Sequence, residues 1–141
     1  MNSEIQKYIS QLNEAQQLPV LQKDGPMIVI AGAGSGKTRV LTVRIANLMS
    51  QGVDAFNILA LTFTNKAARE MKKRIADIVG SNEAKNLWMG TFHSVFAKIL
   101  RIESEKLGYP SNFTIYDTQD SVRLIGAIIK EMQLDKDIYK P

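Results

Sequence analysis

Residues 28–39 read I-V-I-A-G-A-G-S-G-K-T-R. Apolar, β-branched residues run straight into a glycine-rich turn that closes on Gly36-Lys37-Thr38, the pattern of a buried strand handing over to a helix through a phosphate-binding loop. Gly32, Gly34 and Gly36 let the backbone bend and bring its N–H groups close to an anion. Ala33 and Ser35 complete the loop, and the following helix adds its positive N-terminal end. Lys37 is placed to reach the β- and γ-phosphates of a nucleotide, and the Thr38 hydroxyl to reach Mg²⁺. The pattern usually opens on glycine, and here it opens on Ala31. Alanine fits wherever that position does not need positive φ.

A flexible glycine linker would have the same composition. Against it stand the apolar run Met27–Ile30 before the loop and the helical spacing of Val40, Leu41, Arg44, Ile45 and Leu48 after it. The chain of 141 residues is 45% hydrophobic, within the range of an ordinary globular domain. It has no cysteine, which excludes disulfides and thiolate metal sites, and one histidine, His93, which argues against a histidine-rich metal centre. No apolar run is long enough to span a membrane, and the first residues lack the basic and apolar parts of a signal peptide, so the expectation is a cytoplasmic protein without a membrane partner. A net charge of +4 permits a nucleic-acid partner without requiring one.

Outward from the loop, Ile5–Leu12 reads as an amphipathic lead-in. Asn13 can cap a helix from Glu14 to about Leu21, with Gln16 at the third position to complete a capping box. An amide there could instead read the edge of adenine, donating and accepting together. The spacing favours capping. Beyond the loop, a helix should end near Gly52. Ile58–Phe63 then reads as a second strand, apolar throughout as in a buried parallel sheet, and Thr64-Asn65 opens a helix from Lys66 to about Val79, stopped by Gly80. Leu87–Thr91 is a third strand, and a helix from about His93 to Leu107 ends at Gly108. Phe113–Tyr116 is extended. Asp117 looks like the N-cap of a last helix to about Met132, with Val122, Ile125, Ile128, Ile129 and Met132 on one face. This alternation predicts an α/β fold, an open parallel sheet with crossover helices, and all three loops at the strands' carboxyl ends should line one edge.

At the second loop, Phe63 could stack on a base of single-stranded nucleic acid while Thr64, Asn65 and the helix start hold phosphate, or it could be the last core residue of its strand. The residues leave this open. Lys66 sits in a first helical turn, where a cation opposes the dipole unless a phosphate or carboxylate is near. Lys72, Lys73 and Arg74 read as a solvated face. At the third loop Thr91, Phe92, His93 and Ser94 follow Gly90. His93 reads as a packed or capping residue, since no Ser–His triad can be formed by spacing.

Taken together, L-N-x-x-Q at 12–16, A-G-A-G-S-G-K-T-R at 31–39, T-F-T-N-K-A-A-R-E-M at 62–71 and G-T-F-H-S at 90–94 closely resemble the UvrD/Rep/PcrA family of superfamily I DNA helicases. The resemblance implies a RecA-like, P-loop NTPase fold, truncated, with residues 1–116 as the early part of the first ATP-binding domain and 117–141 as the start of an inserted helical domain. It also implies a 3′–5′ helicase that uses ATP and Mg²⁺ to step along single-stranded DNA and act at junctions with duplex. By position, Gln16 corresponds to the adenine-reading glutamine, residues 31–38 to the phosphate loop, and Arg39 to a further contact near the nucleotide. Phe63, Thr64, Asn65 and Lys66, with Thr91, Phe92 and His93, correspond to DNA-facing motifs. The family's acidic Asp-Glu-x-Gln segment and second-domain arginines have no counterpart, since no Asp-Glu pair occurs. The chain is therefore expected to be an N-terminal piece without turnover of its own, whose missing strands leave edges open to self-association. A complete small nucleotide-binding module that binds nucleic acid without hydrolysis is the alternative. A phosphoryl transferase would need a substrate base and a lid arginine, and neither can be placed.

Overall fold

The computed structural model describes residues 3–135 and 137–141. It contains helices α1 (Ser3–Ser10), α2 (Glu14–Leu21) and α3 (Lys37–Ser50), strand β1 (Leu59–Thr62), helices α4 (Asn65–Val79) and α5 (Ser81–Lys85), strand β2 (Trp88–Thr91), and helices α6 (Phe92–Glu103) and α7 (Thr118–Glu131). Two compact units result, divided between Lys98 and Ile99.

The first unit is organised around α3, which is apolar on two sides and buried accordingly. Val40, Val43 and Ala46 pack with Ile5, Ile9, Leu12 and Val20 from α1, α2 and the turn between them. On its other side, Ile45 joins Ile58, Ala60, Met71, Ile75 and Leu87 beneath the sheet. Helix α4 buries Ala68, Met71 and Ile75 and turns Arg69, Lys73 and Arg74 to solvent, as its spacing requires. The two strands pair in parallel with Thr62 opposite Thr91. At the junction of β2 and α6, a Cβ on Gly90 would come within 2.6 Å of Ser94 Oγ and 2.9 Å of a Val95 methyl. Only glycine lets the helix begin so close to the strand.

Two expectations are corrected. Met27–Ile30 forms no strand and pairs with none among the described residues, and Ile28 and Ile30 are 88% and 94% exposed. The apolar run supplies the side chains for a buried strand, but burial needs neighbouring strands to flank it, and among the described residues the sheet consists of β1 and β2. For the same reason β1 is not buried on both faces: Ala60 and Thr62 are buried, whereas Leu59 is exposed. The helix expected from His93 to Leu107 is also shorter. Helix α6 gives way at Ser104 to a 3-10 turn before Gly108, which is left-handed at φ 76°.

In the second unit, Leu100, Ser104, Leu107, Tyr109 and Phe113 surround a cavity of about 240 Å³. Arg101 lies over the Phe113 ring, 5.7 Å from its centre. Asp117 caps α7 in a full capping box with Asp120. Of the apolar face expected on α7, only Ile129 is buried; Val122, Ile125, Ile128 and Met132 remain exposed.

Candidate functional site

The loop before α3 turns through Gly34 and Gly36, at φ 78° and 83°. Side chains make that left-handed backbone costly, so these two glycines are required by conformation. Ala31 is not among the positive-φ residues, and its methyl group is accommodated without strain. A Cβ on Gly32 or Gly34 would meet nothing within 4 Å, so space beside the loop is open. Ser35 Oγ donates to the Gly32 carbonyl at 2.7 Å. Lys37 Nζ donates to the carbonyls of Ala31 and Gly32 at 2.9 and 2.6 Å. The N-cap, Gly36, offers no side chain to the first turn of α3, whose N–H groups and dipole end face outward beside Lys37 and Thr38. Thr38 is exposed.

Gln16 does two things at once. Its Oε1 accepts the Asn13 N–H at 3.2 Å, and its own N–H donates to Asn13 Oδ1 at 2.9 Å, which completes the expected capping box. Its Nε2 reaches across to donate to the Ser35 carbonyl at 3.0 Å. The amide therefore sits against the glycine loop while it caps α2. Between α2 and the loop lies a cavity of about 200 Å³, lined in part by Asn13, Gln16, Pro19, Ile30, Lys37 and Val40. Arg39 points elsewhere. Its guanidinium donates to Gln11 Oε1 at 2.7 Å, beside a groove of about 340 Å³ that it shares with Tyr8, Arg74 and Asp77.

At the carboxyl ends of the strands the residue types separate cleanly. Phe63 is 92% exposed and belongs to neither hydrophobic cluster among the described residues. Because Thr62 and Thr91 are register partners, the next residue of each strand lands beside the other, and the Phe63 and Phe92 rings stand 5.8 Å apart, tilted by 43°. Thr64 Oγ1 accepts the Ala67 N–H at 3.2 Å and so caps α4, leaving Asn65 and Lys66 exposed in its first turn. Thr91 Oγ1 plays the same part for α6, accepting the Ser94 N–H at 3.3 Å and donating to Ser94 Oγ at 3.0 Å. His93 is exposed and takes part in no side-chain hydrogen bond among the described residues. Among the described residues the only ion pair is Lys106–Glu103, so no carboxylate balances Lys66. Nor does any hydrogen bond among them link the loop at 31–37 to these two strand ends. The structure thus brings two of the three loops together through their aromatic rings, and joins the third to α2.

Two polar residues that sequence reasoning passed over hold this arrangement. Arg44 donates to the carbonyls of Pro19 and Gln22, and Asn47, 2% exposed, donates to that of Val20 at 3.0 Å. The signal was an asparagine within the apolar run Val43, Ile45, Ala46, which burial would oblige to find a partner. Lys98, over the Trp88 ring at 4.8 Å, was also unmarked. Among the described residues no group of three His, Asp or Glu side chains could hold a metal ion, and no helix is long and apolar enough to cross a membrane.

Residues 12–141 match the family model described as the UvrD/REP helicase N-terminal domain. The whole chain is 49% identical to the ATP-dependent DNA helicase PcrA of Bacillus subtilis, and 94% of it is 45–46% identical to PcrA of Staphylococcus aureus and of Staphylococcus epidermidis. It spans about a fifth of the length of these relatives, 18–19%. A match over nearly every residue, together with a glycine loop at the start of α3 and the quoted segments at both strand ends, places this chain in the UvrD/REP helicase N-terminal domain family.

Proposed function

We propose that this chain forms the nucleotide-holding and strand-contacting part of an ATP-dependent DNA helicase that moves 3′–5′ on single-stranded DNA and opens duplex at junctions. The observation that carries the reading is the loop: two glycines at positive φ lead into an uncapped helix start beside Lys37. Its residues fit a triphosphate. Space beside Gly32 and Gly34 is open, and the Lys37 ammonium, held by two loop carbonyls, can exchange them for phosphate oxygens. Mg²⁺ would arrive with the nucleotide, with Thr38 Oγ1 as the protein oxygen offered from this chain, and it would neutralise charge on the phosphates. Gln16 and the cavity beside α2 form the place for the base. The exposed Phe63–Phe92 pair, flanked by Thr64, Asn65, Lys66, Thr91 and His93, forms the stacking surface for DNA.

Turnover on this reading is a property of a longer protein, since the 141 residues contain no Asp-Glu pair to position water. The test is Lys37→Ala in the full-length helicase. Loss of charge stabilisation on the transferring phosphoryl group should lower ATPase activity by orders of magnitude without changing the fold. Near-normal turnover in the folded variant overturns the assignment.

A further inference from the structure

Helix α2 ends without enough partners of its own. The last carbonyls of any helix lack intrahelical donors, and here they are satisfied from α3. Arg44 donates through one guanidinium nitrogen to Pro19 and Gln22 and through the other to Lys23 at 3.4 Å, while the buried Asn47 amide donates to Val20. Pro19 faces the opposite way as well, lining the cavity of about 200 Å³ between α2 and the phosphate loop. The other end of α2 meets the same loop through Gln16 and Ser35. Lys37 and Arg44 are two turns apart on one helix, a separation fixed at about 10 Å by helix geometry. The wall of the cavity and its phosphate end are thus held by a single rigid element.

We propose that Arg44, supported by Asn47, is a positioning residue that sets the width of the base pocket and with it the adenine preference exerted through Gln16. This rests on the nucleotide reading given above. A guanidinium suits the task because its planar fork carries several donors and can span separate carbonyls, whereas an ammonium is a point charge on a flexible stem. Released from Arg44, the end of α2 that carries Pro19 can swing, and Gln16 then meets the base edge out of register.

The experiment compares Arg44→Ala, Arg44→Lys, Gln16→Ala and the Arg44/Gln16 double variant of the full-length helicase, by equilibrium binding of ATP and GTP and by steady-state ATPase kinetics. Arg44→Ala should weaken ATP binding and raise KM by about tenfold with kcat little changed, narrowing the ATP/GTP ratio, because the lost term is uniform binding of the base. Arg44→Lys should restore part of the ratio. In the Gln16→Ala background Arg44→Ala should narrow it no further. Hydrogen exchange without nucleotide should quicken in residues 14–23 of Arg44→Ala and stay slow in α3. A folded Arg44→Ala or Arg44→Lys protein with the parent's ATP/GTP ratio, beside a Gln16→Ala protein that has lost it, overturns the positioning role alone. A Gln16→Ala protein that keeps the ratio overturns the nucleotide reading of α2 and this proposal with it.

Discussion

At Phe63 two chemistries compete, and the ring's exposure sets what each predicts for a truncation. A ring buried at the end of its strand would have made Phe63→Ala a cavity mutation. At 92% exposure it removes almost no core. The expected outcome is a melting temperature close to that of the parent, with single-stranded DNA binding weakened by about 1–3 kcal/mol, the worth of one base–aromatic stack. Titration of a labelled oligonucleotide at one fixed salt concentration, beside a thermal melt of the same preparation, measures both. Unchanged DNA affinity would remove Phe63 from the proposed surface. The sequence placed the residue at a strand end next to a helix start, but it could not say which way the ring faced. That depended on Thr62 pairing with Thr91, a contact across 29 positions of chain that brings Phe92 alongside.

At the level of elements, the boundaries that local chemistry controls were legible. Asn13, Thr64 and Asp117 cap their helices by accepting backbone N–H bonds within three residues, and Gly80 ends α4. The β2–α6 junction is different, because its glycine is demanded by a neighbour in space. Gly90→Ala should push Ser94 and Val95 outward and cost about 1–3 kcal/mol, as overpacking does. Urea denaturation should show a lowered midpoint, and truncating Val95 in the same chain should recover part of the loss, since one of the two close contacts is its methyl. If Gly90→Ala leaves the midpoint unchanged, the close approach of α6 to β2 is not a constraint. Arg44 belongs at this scale too: within the helix it is only one position of the spacing that marks α3, and its role exists only because α2 ends beside it.

For the molecule as a whole, the amount of apolar surface left uncovered is the dominant fact. Ile28, Ile30 and Leu59 stand out beside a sheet of two strands, and in the second unit Val122, Ile125, Ile128 and Met132 are exposed along α7. Exposed apolar surface of this extent favours association with other chains. The 141-residue chain on its own should therefore associate as its concentration rises, which sedimentation velocity over a dilution series will report. Ile28→Lys with Ile30→Lys should reduce that association. A chain that sediments as a monomer at every concentration contradicts the expectation.

What the sequence determined by itself was whatever neighbours in the chain decide: the glycine loop and its lysine, the caps and stops of the helices, the amphipathic face of α4, and the four quoted segments that carry the family. What only the tertiary structure decided was whatever depends on residues far apart in the chain. The run at 28–30 has the composition of a buried strand and is exposed, because composition supplies side chains suited to burial and only adjacent strands can bury them. Gln16 had two readings by spacing. Three-dimensional packing let it cap α2 and touch the loop together, because a side-chain amide has an acceptor and a donor at opposite corners and the fold put a partner at each.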